Sequence, residues 1–169
     1  QMIVTGSHLS KQHGYTYKEI EKDHIKISDK VNLNLKGDSP EDVIHSMSIG
    51  LKGFSDSFHK LQPDLIVILG DRYEIFSVAA AAMIMNIPIA HIHGGEVTEG
   101  AYDEAIRHSI SKMAHMHFVA APEYRKRVIQ LGENPKSVFM VGGLGVDAIN
   151  DLTLLDKLKL EKLMGFKFG

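Results

Sequence analysis

Leu65-Ile66-Val67-Ile68-Leu69-Gly70-Asp71-Arg72-Tyr73-Glu74 is the stretch that decides the fold. Its apolar half is rich in β-branched residues and reads as a strand buried on both faces. Gly70 breaks the strand, and ionisable residues lead into an apolar, alanine-rich segment that reads as a helix from Tyr73 to Met85. The same order recurs directly afterwards. Ile89 to Ile92 reads as a strand running into His91-Ile92-His93-Gly94-Gly95-Glu96, and Asp103 to Met113 reads as a helix with a core stripe of Ile106, Ile110 and Met113. In open α/β sheets, ligands bind just beyond the carboxyl ends of the strands. The charges of both loops fall there, and a core has no use for so many, so an enzyme is the leading reading.

Outward from this centre the alternation continues. Gln1-Met2-Ile3-Val4-Thr5 reads as the end of a strand, so the chain is expected to begin inside a fold. Tyr15 to Lys22 reads as a helix and Val31 to Leu35 as a strand. Pro40 to Leu61 reads as a helix, with proline in its first turn and Val43, Met47, Leu51 and Phe54 as its inward stripe. His117 to Ala121 is a further strand, Pro122 to Leu131 a helix closed by Gly132, and Val138 to Val141 the last strand. Strands alternating with helices predict an α/β fold with a doubly wound, mostly parallel sheet. Residues 1–150 form that domain, and 151–169 read as a helix and linker leading out of it. No repeat or low-complexity segment interrupts the pattern.

Composition narrows the function. The chain has 169 residues and a formal net charge of −2, which gives no electrostatic case for nucleic acid or an anionic membrane. No apolar run approaches the ~20 residues of a membrane span, and no basic segment precedes an apolar one as in a signal peptide. Zero cysteines exclude disulfides, thiolate zinc sites and a cysteine nucleophile, and suit a reducing cytoplasm.

Each chemical residue has a plain reading beside a functional one. Asp71 fits an N-cap with Glu74 three residues on, a role worth about 1 kcal/mol that serine or threonine would fill equally. Arg72 at the same helix start fits a solvated charge or a phosphate contact. His91 and His93, two apart on one strand, face the same side. With Asp71, Glu96 or Asp103 nearby they fit a weakly specified metal site, while a hydrogen-bonded His91 is the commoner outcome. Gly94 and Gly95 fit either a turn or a close approach of backbone to ligand. Asp103 and Glu104 complement the helix dipole. They also stand four residues before Arg107 and His108, so each pair can meet on one helix side. An exposed Asp103–Arg107 pair at a cleft edge would add only ~0.3–0.5 kcal/mol, so a site explains it better than stability does. His8 follows the first strand, again on the ligand side. Val141-Gly142-Gly143-Leu144-Gly145 lacks the third glycine of a dinucleotide fingerprint and follows the last strand, so no nicotinamide cofactor is expected.

Taken together, these motifs resemble the hydrolysing UDP-N-acetylglucosamine 2-epimerases, in particular the bacterial branch that feeds sialic or legionaminic acid synthesis. The resemblance rests on Val4-Thr5-Gly6-Ser7-His8-Leu9, Gly14-Tyr15-Thr16-Tyr17-Lys18, Gly70-Asp71-Arg72-Tyr73-Glu74, His91-Ile92-His93-Gly94-Gly95-Glu96-Val97-Thr98 and Asp103-Glu104-Ala105-Ile106-Arg107-His108. It runs from about Val4 to Asn150. It implies one half of a two-domain, glycosyltransferase-B-type architecture: most of a Rossmann-like N-terminal domain, without its first strand and without the C-terminal domain. It implies a UDP-sugar substrate, no cofactor or metal, and a homo-oligomer. The implied reaction removes the proton at sugar C2, expels UDP from C1 and adds water back to give the 2-epimer.

By the same resemblance Asp71 and Asp103 match catalytic carboxylates, Arg72 matches a UDP contact, and Glu104 joins the catalytic set. His8, His91, Gly94, Gly95, Arg107 and His108 fall in the substrate-binding set. Several relatives carry glutamate where this chain has His93, so His93 takes that role or Glu96 shifts to it. Three alternatives stay open. A metal-dependent hydrolase would use His91, His93 and Asp71 as ligands. A nucleotide-sugar glycosyltransferase shares the fold, and a non-catalytic nucleotide-sugar-binding domain would use the same cleft.

Overall fold

The computed structural model describes residues Gln1–Gly169. Six strands and seven α-helices alternate: β1 (Met2–Thr5), α1 (Tyr17–Lys22), β2 (Ile27–Val31), α2 (Pro40–Leu61), β3 (Ile66–Leu69), α3 (Tyr73–Ile84), β4 (Ile89–Ile92), α4 (Asp103–Met113), β5 (Met116–Val119), α5 (Pro122–Gln130), β6 (Val138–Met140), α6 (Leu144–Asn150) and α7 (Lys157–Met164). Every strand pairing is parallel. The class is therefore the α/β fold expected. The sheet is divided, however, into a two-stranded part, β2-β1, and a four-stranded part, β3-β4-β5-β6. No hydrogen bonds join β1 to β3, and a groove of about 1200 Å³ lies between them.

Helices α2 to α5 gather on one side of the sheet. Ile68 and Ile89 pack with Val78, Ala82 and Ile110, while Val119 and Val138 enclose Val128 of α5. Strand alternation sends Val67, Leu69 and Phe139 to the other side. There they are 61%, 50% and 44% exposed, and α1 buries no residue. The Leu65–Leu69 strand is thus covered on one face only, a correction to its reading as buried on both.

Local chemistry accounts for the best-placed boundaries. Ser39 accepts a hydrogen bond from the Asp42 amide and Pro40 opens the first turn, so α2 starts where predicted. Its inward stripe differs from the expected one. Ser46, Gly50, Phe54, Ser57 and Phe58 are buried, whereas Leu51 is exposed. The reason is α3, which lies so close that a Cβ on Gly50 would come within 3.0 Å of the Ser77 Cβ. Three other boundaries also move. β2 pairs over Ile27–Val31 rather than 31–35. The glycine-rich segment after β6 turns into α6, and the C-terminal helix begins at Lys157 rather than at 152.

Candidate active site

The carboxyl ends of β3 and β4 carry the candidate site. Gly70 has φ +86°, a value glycine adopts freely, and turns the chain out of β3 so that Asp71 stands at the sheet's edge. Asp71 does not cap α3. The N-cap position is Arg72, with no side-chain cap, which corrects the capping-box reading. Glu74 is instead buried and takes hydrogen bonds from Arg72 Nε at 3.1 Å and Nη2 at 3.1 Å. Those bonds raise the Arg72 pKa further. The Arg72 side chain remains 63% exposed.

Arg107 gathers the site. It rises from α4, is buried, and forms an ion pair with Asp71. Its Nη1 donates to Glu96 Oε2 at 2.9 Å and to the His93 carbonyl at 3.3 Å, and its Nη2 donates to Thr98 Oγ1 at 3.0 Å. Its Nε has no partner. The expected Asp103–Arg107 pair is absent, because the guanidinium points across the sheet edge at Asp71 and Glu96 rather than along its own helix. Glu96 bridges further, taking His93 Nδ1 at 2.5 Å. Asp71, His93, Glu96, Thr98 and Arg107 thus form one connected cluster.

His91 and His93 part company. β4 ends at Ile92, and His93 adopts φ +65°, in the left-handed region that non-glycine residues rarely enter. The two side chains therefore do not share a strand face. His91 is fully buried beneath the loop, with Nε2 donating to the Gly70 carbonyl at 2.8 Å and Nδ1 facing Ser111 Oγ at 3.2 Å. A carbonyl only accepts, so Nε2 carries the proton and Nδ1 accepts from the serine. Burial lowers the His91 pKa to about 4 and keeps it neutral. It supports Gly70 from beneath. No group of histidines and carboxylates has the spacing of a metal site.

Gly94 and Gly95 are also buried, against protein rather than open space. A Cβ on Gly94 would come within 3.0 Å of Ser111 Oγ, and one on Gly95, at φ +80°, within 2.5 Å of the Tyr124 carbonyl. Arg127 donates to the Gly95 carbonyl and clamps the loop to α5. Their smallness thus serves packing of the loop.

The other expected residues lie around this centre. Asp103 and Glu104 open α4, half-buried and without a bond to the cluster; Glu104 lies 3.6 Å from His108 Nε2. His8 follows β1 on a short 3₁₀ turn, where its Nδ1 meets Thr16 Oγ1 at 2.7 Å, and it lines the groove mouth together with Asp71 and Arg72. Sequence reasoning assigned no site role to Thr98, Ser111 or Arg127, and it read Glu74 as a cap partner rather than as the buried acceptor of Arg72. Thr98 stood within a quoted motif, but nothing in spacing joins Ser111 to His91 or Arg127 to Gly95.

The sequence and the fold are similar to those of known proteins. Residues 1–165 match the family model described as UDP-N-acetylglucosamine 2-epimerase. The chain is 50% identical over 167 residues to a GDP/UDP-N,N'-diacetylbacillosamine 2-epimerase (hydrolyzing) of Campylobacter jejuni, covering 99% of this chain and 43% of that protein. It is 48% identical over 164 residues to polysialic acid biosynthesis protein P7 of Escherichia coli, covering 97% and 42%. A crystal structure of Methanocaldococcus jannaschii UDP-GlcNAc 2-epimerase in complex with UDP-GlcNAc and UDP superposes with a TM-score of 0.74 at 20% identity, over 95% of this chain and 42% of that one. The chain therefore spans less than half the length of the relatives it matches. By the extent of the family match and the identity to these relatives, the chain belongs to the UDP-N-acetylglucosamine 2-epimerase family.

Proposed function

We propose that this chain supplies one wall of the active site of a hydrolysing nucleotide-sugar 2-epimerase. The substrate is UDP-N-acetylglucosamine or a diacetamido analogue, and the product sugar feeds sialic or legionaminic acid synthesis. The observation that carries the reading is the Asp71–Arg107–Glu96–His93 cluster at the carboxyl ends of β3 and β4. The α3 N-terminus beside it has no side-chain cap. Its free N–H groups, with the exposed Arg72, suit a diphosphate.

The reaction needs a base at sugar C2–H, a group that stabilises charge on the departing phosphate oxygen, and a group that positions water. Asp71 is oriented by its ion pair with Arg107 and serves as one carboxylate. Glu96 and His93 share a short hydrogen bond, so a proton can pass between them, and they serve as an acid–base pair. Asp103 and Glu104, half-buried at the start of α4, supply further carboxylates at the mouth. Positioned acid–base groups of this kind contribute typically 10²–10⁴-fold each.

The test uses a longer protein that carries this chain together with the remainder found in its relatives. It is incubated in D₂O with each UDP-sugar and followed by NMR. The expected result is UDP release matched by a 2-epimeric free sugar carrying deuterium at C2, unaffected by a chelator. Retention of the original C2 proton, or loss of activity on chelation with recovery on adding zinc, would overturn it.

A further inference from the structure

Glu74 stands in the first turn of α3, where an acidic side chain complements the helix dipole. A dipole role calls for no burial, yet Glu74 is only 4% exposed. Taking a carboxylate out of water is unfavourable unless it is paired and hydrogen-bonded, and a well-packed apolar side chain would hold the same place at least as stably. Something other than stability has to explain the charge.

Its neighbours supply the explanation. Arg72 Nε donates to Glu74 Oε2 at 3.1 Å and to Oε1 at 3.3 Å, and Arg72 Nη2 donates to Oε1 at 3.1 Å. This is the side-on fork of a guanidinium on a carboxylate, which fixes the plane of the guanidinium as well as its distance. On its other side Glu74 lies against Gly6, where the chain bends out of β1 with φ +61° and an added Cβ would come within 3.1 Å of Oε1. The carboxylate is thus held between the turn after β1 and the first turn of α3, and both of these line the groove mouth. Arg72 has the opposite character. Its side chain is 63% exposed, and without a partner so long a side chain would spread over many rotamers. The fork leaves Nη1 and the outer N–H of Nη2 unused by Glu74. Those donors form the end-on pair that suits a phosphate.

We infer that Glu74 is a positioning residue, which locks the side-on edge of Arg72 within the fold so that the end-on edge meets the diphosphate of the UDP-sugar beside the start of α3. The inference rests on the nucleotide-sugar reading of the site and adds to it a residue that touches no substrate. The charge of Glu74 has two opposed effects on a diphosphate. It orients the arginine, which favours binding, and it repels the phosphates directly, which opposes binding. With Arg72 present, orientation outweighs repulsion. With Arg72 removed, only repulsion is left. Neutralising Glu74 therefore acts in opposite directions in the two backgrounds. A carboxylate that merely supported the fold would act in the same direction in both.

The test is calorimetric titration of UDP into the longer protein that carries this chain, in four forms: unsubstituted, Glu74→Gln, Arg72→Ala, and the two combined. The expected result is UDP bound about 10-fold more weakly by Glu74→Gln, and more tightly by the combined variant than by Arg72→Ala alone. Glu74→Met, which fills the buried place without a charge, should weaken UDP as the glutamine does. UDP bound as well or better by both Glu74 variants would overturn the inference. So would equal weakening with and without Arg72, or an affinity for UDP that does not depend on Arg72. A second measurement leaves position 74 untouched, so that a poorly folded variant does not decide the matter. In protein labelled with ¹⁵N-arginine and free of UDP, the Arg72 Nε–H should exchange at least ~10-fold more slowly than that of free arginine, as a charge-assisted bond requires. Exchange as fast as in free arginine would equally overturn the fork. The reaction fails by a different result: absence of a 2-epimeric sugar would refute the proposed chemistry and leave the UDP titrations to decide the role of Glu74.

Discussion

Replacing Arg107 with alanine tests whether the cluster is a structural unit as well as a chemical one. The guanidinium is 8% exposed, and its partners Asp71 and Glu96 are 19% and 25% exposed. Breaking a buried pair by removing one partner costs roughly 3–5 kcal/mol, because the remaining charge has lost its compensation. Here two carboxylates are left facing each other, but both retain some contact with water, which sets the expectation at the lower end, about 3 kcal/mol. With a urea m-value of about 2 kcal/mol/M, the unfolding midpoint falls by about 1.5 M. The informative comparison is Arg107→Ala combined with Asp71→Asn and Glu96→Gln. Without the stranded charges, the same arginine loss should cost less than half as much. Urea titration monitored by circular dichroism reads both. A loss below about 1 kcal/mol for the single variant, or an equal loss in the neutralised background, would refute the argument that burial makes this an obligatory partnership.

Three further outcomes are expected. Stability falls as pH drops from about 6.5 towards 4, because His91 stays neutral in the folded chain down to about 4 while the unfolded chain takes up the proton near 6.5. The full term approaches about 3 kcal/mol, burial of His117 acts in the same direction, and urea midpoints at pH 7 and pH 4.5 measure the change. Gly95→Ala destabilises by about 2–4 kcal/mol, since both its φ of +80° and the Tyr124 carbonyl oppose a side chain; a thermal-melt shift of less than a degree would show that the loop yields. Asp71→Asn in the longer enzyme lowers turnover at least ~100-fold with the fold intact; because Asp71 makes no cap, steady-state rates that stay near normal would remove it from the chemistry.

The parallel α/β class was legible because apolar strands and amphipathic helices differ in period. α2 and α4 were bounded as read, since Pro40 and Asp103 mark their starts. β2 was misplaced because its Ser28, Asp29 and Lys30 hide the strand pattern, as an edge position permits. Leu33, beyond the strand, is fully buried by packing rather than by pairing. At the site, the sequence supplied residue types but not depth. His91 and His93 look equivalent on paper, and one positive φ sends them to different environments. Arg107 looked like half of a helical pair because spacing reports neighbours along a helix and is silent about partners across a sheet. The divided sheet left no trace in any single strand, since each one reads as a strand whether or not its neighbour is in place.

The close contact between α2 and α3 has a mechanical consequence. α2 runs for 22 residues, and the missing side chain of Gly50 lets α3 lie directly against it. The peptide that carries Asp71 and Arg72 is rigidly continuous with the first turn of α3. The pair of helices therefore acts as a lever whose fulcrum is Gly50 and Ser77 and whose working end is the carboxylate. A methyl group added at the fulcrum would need no contact with substrate to disturb the proposed reaction. It would press on Ser77 of α3, the helix that follows Asp71, so the geometry of the proposed reaction would rest in part on one of the least chemical residues in the chain.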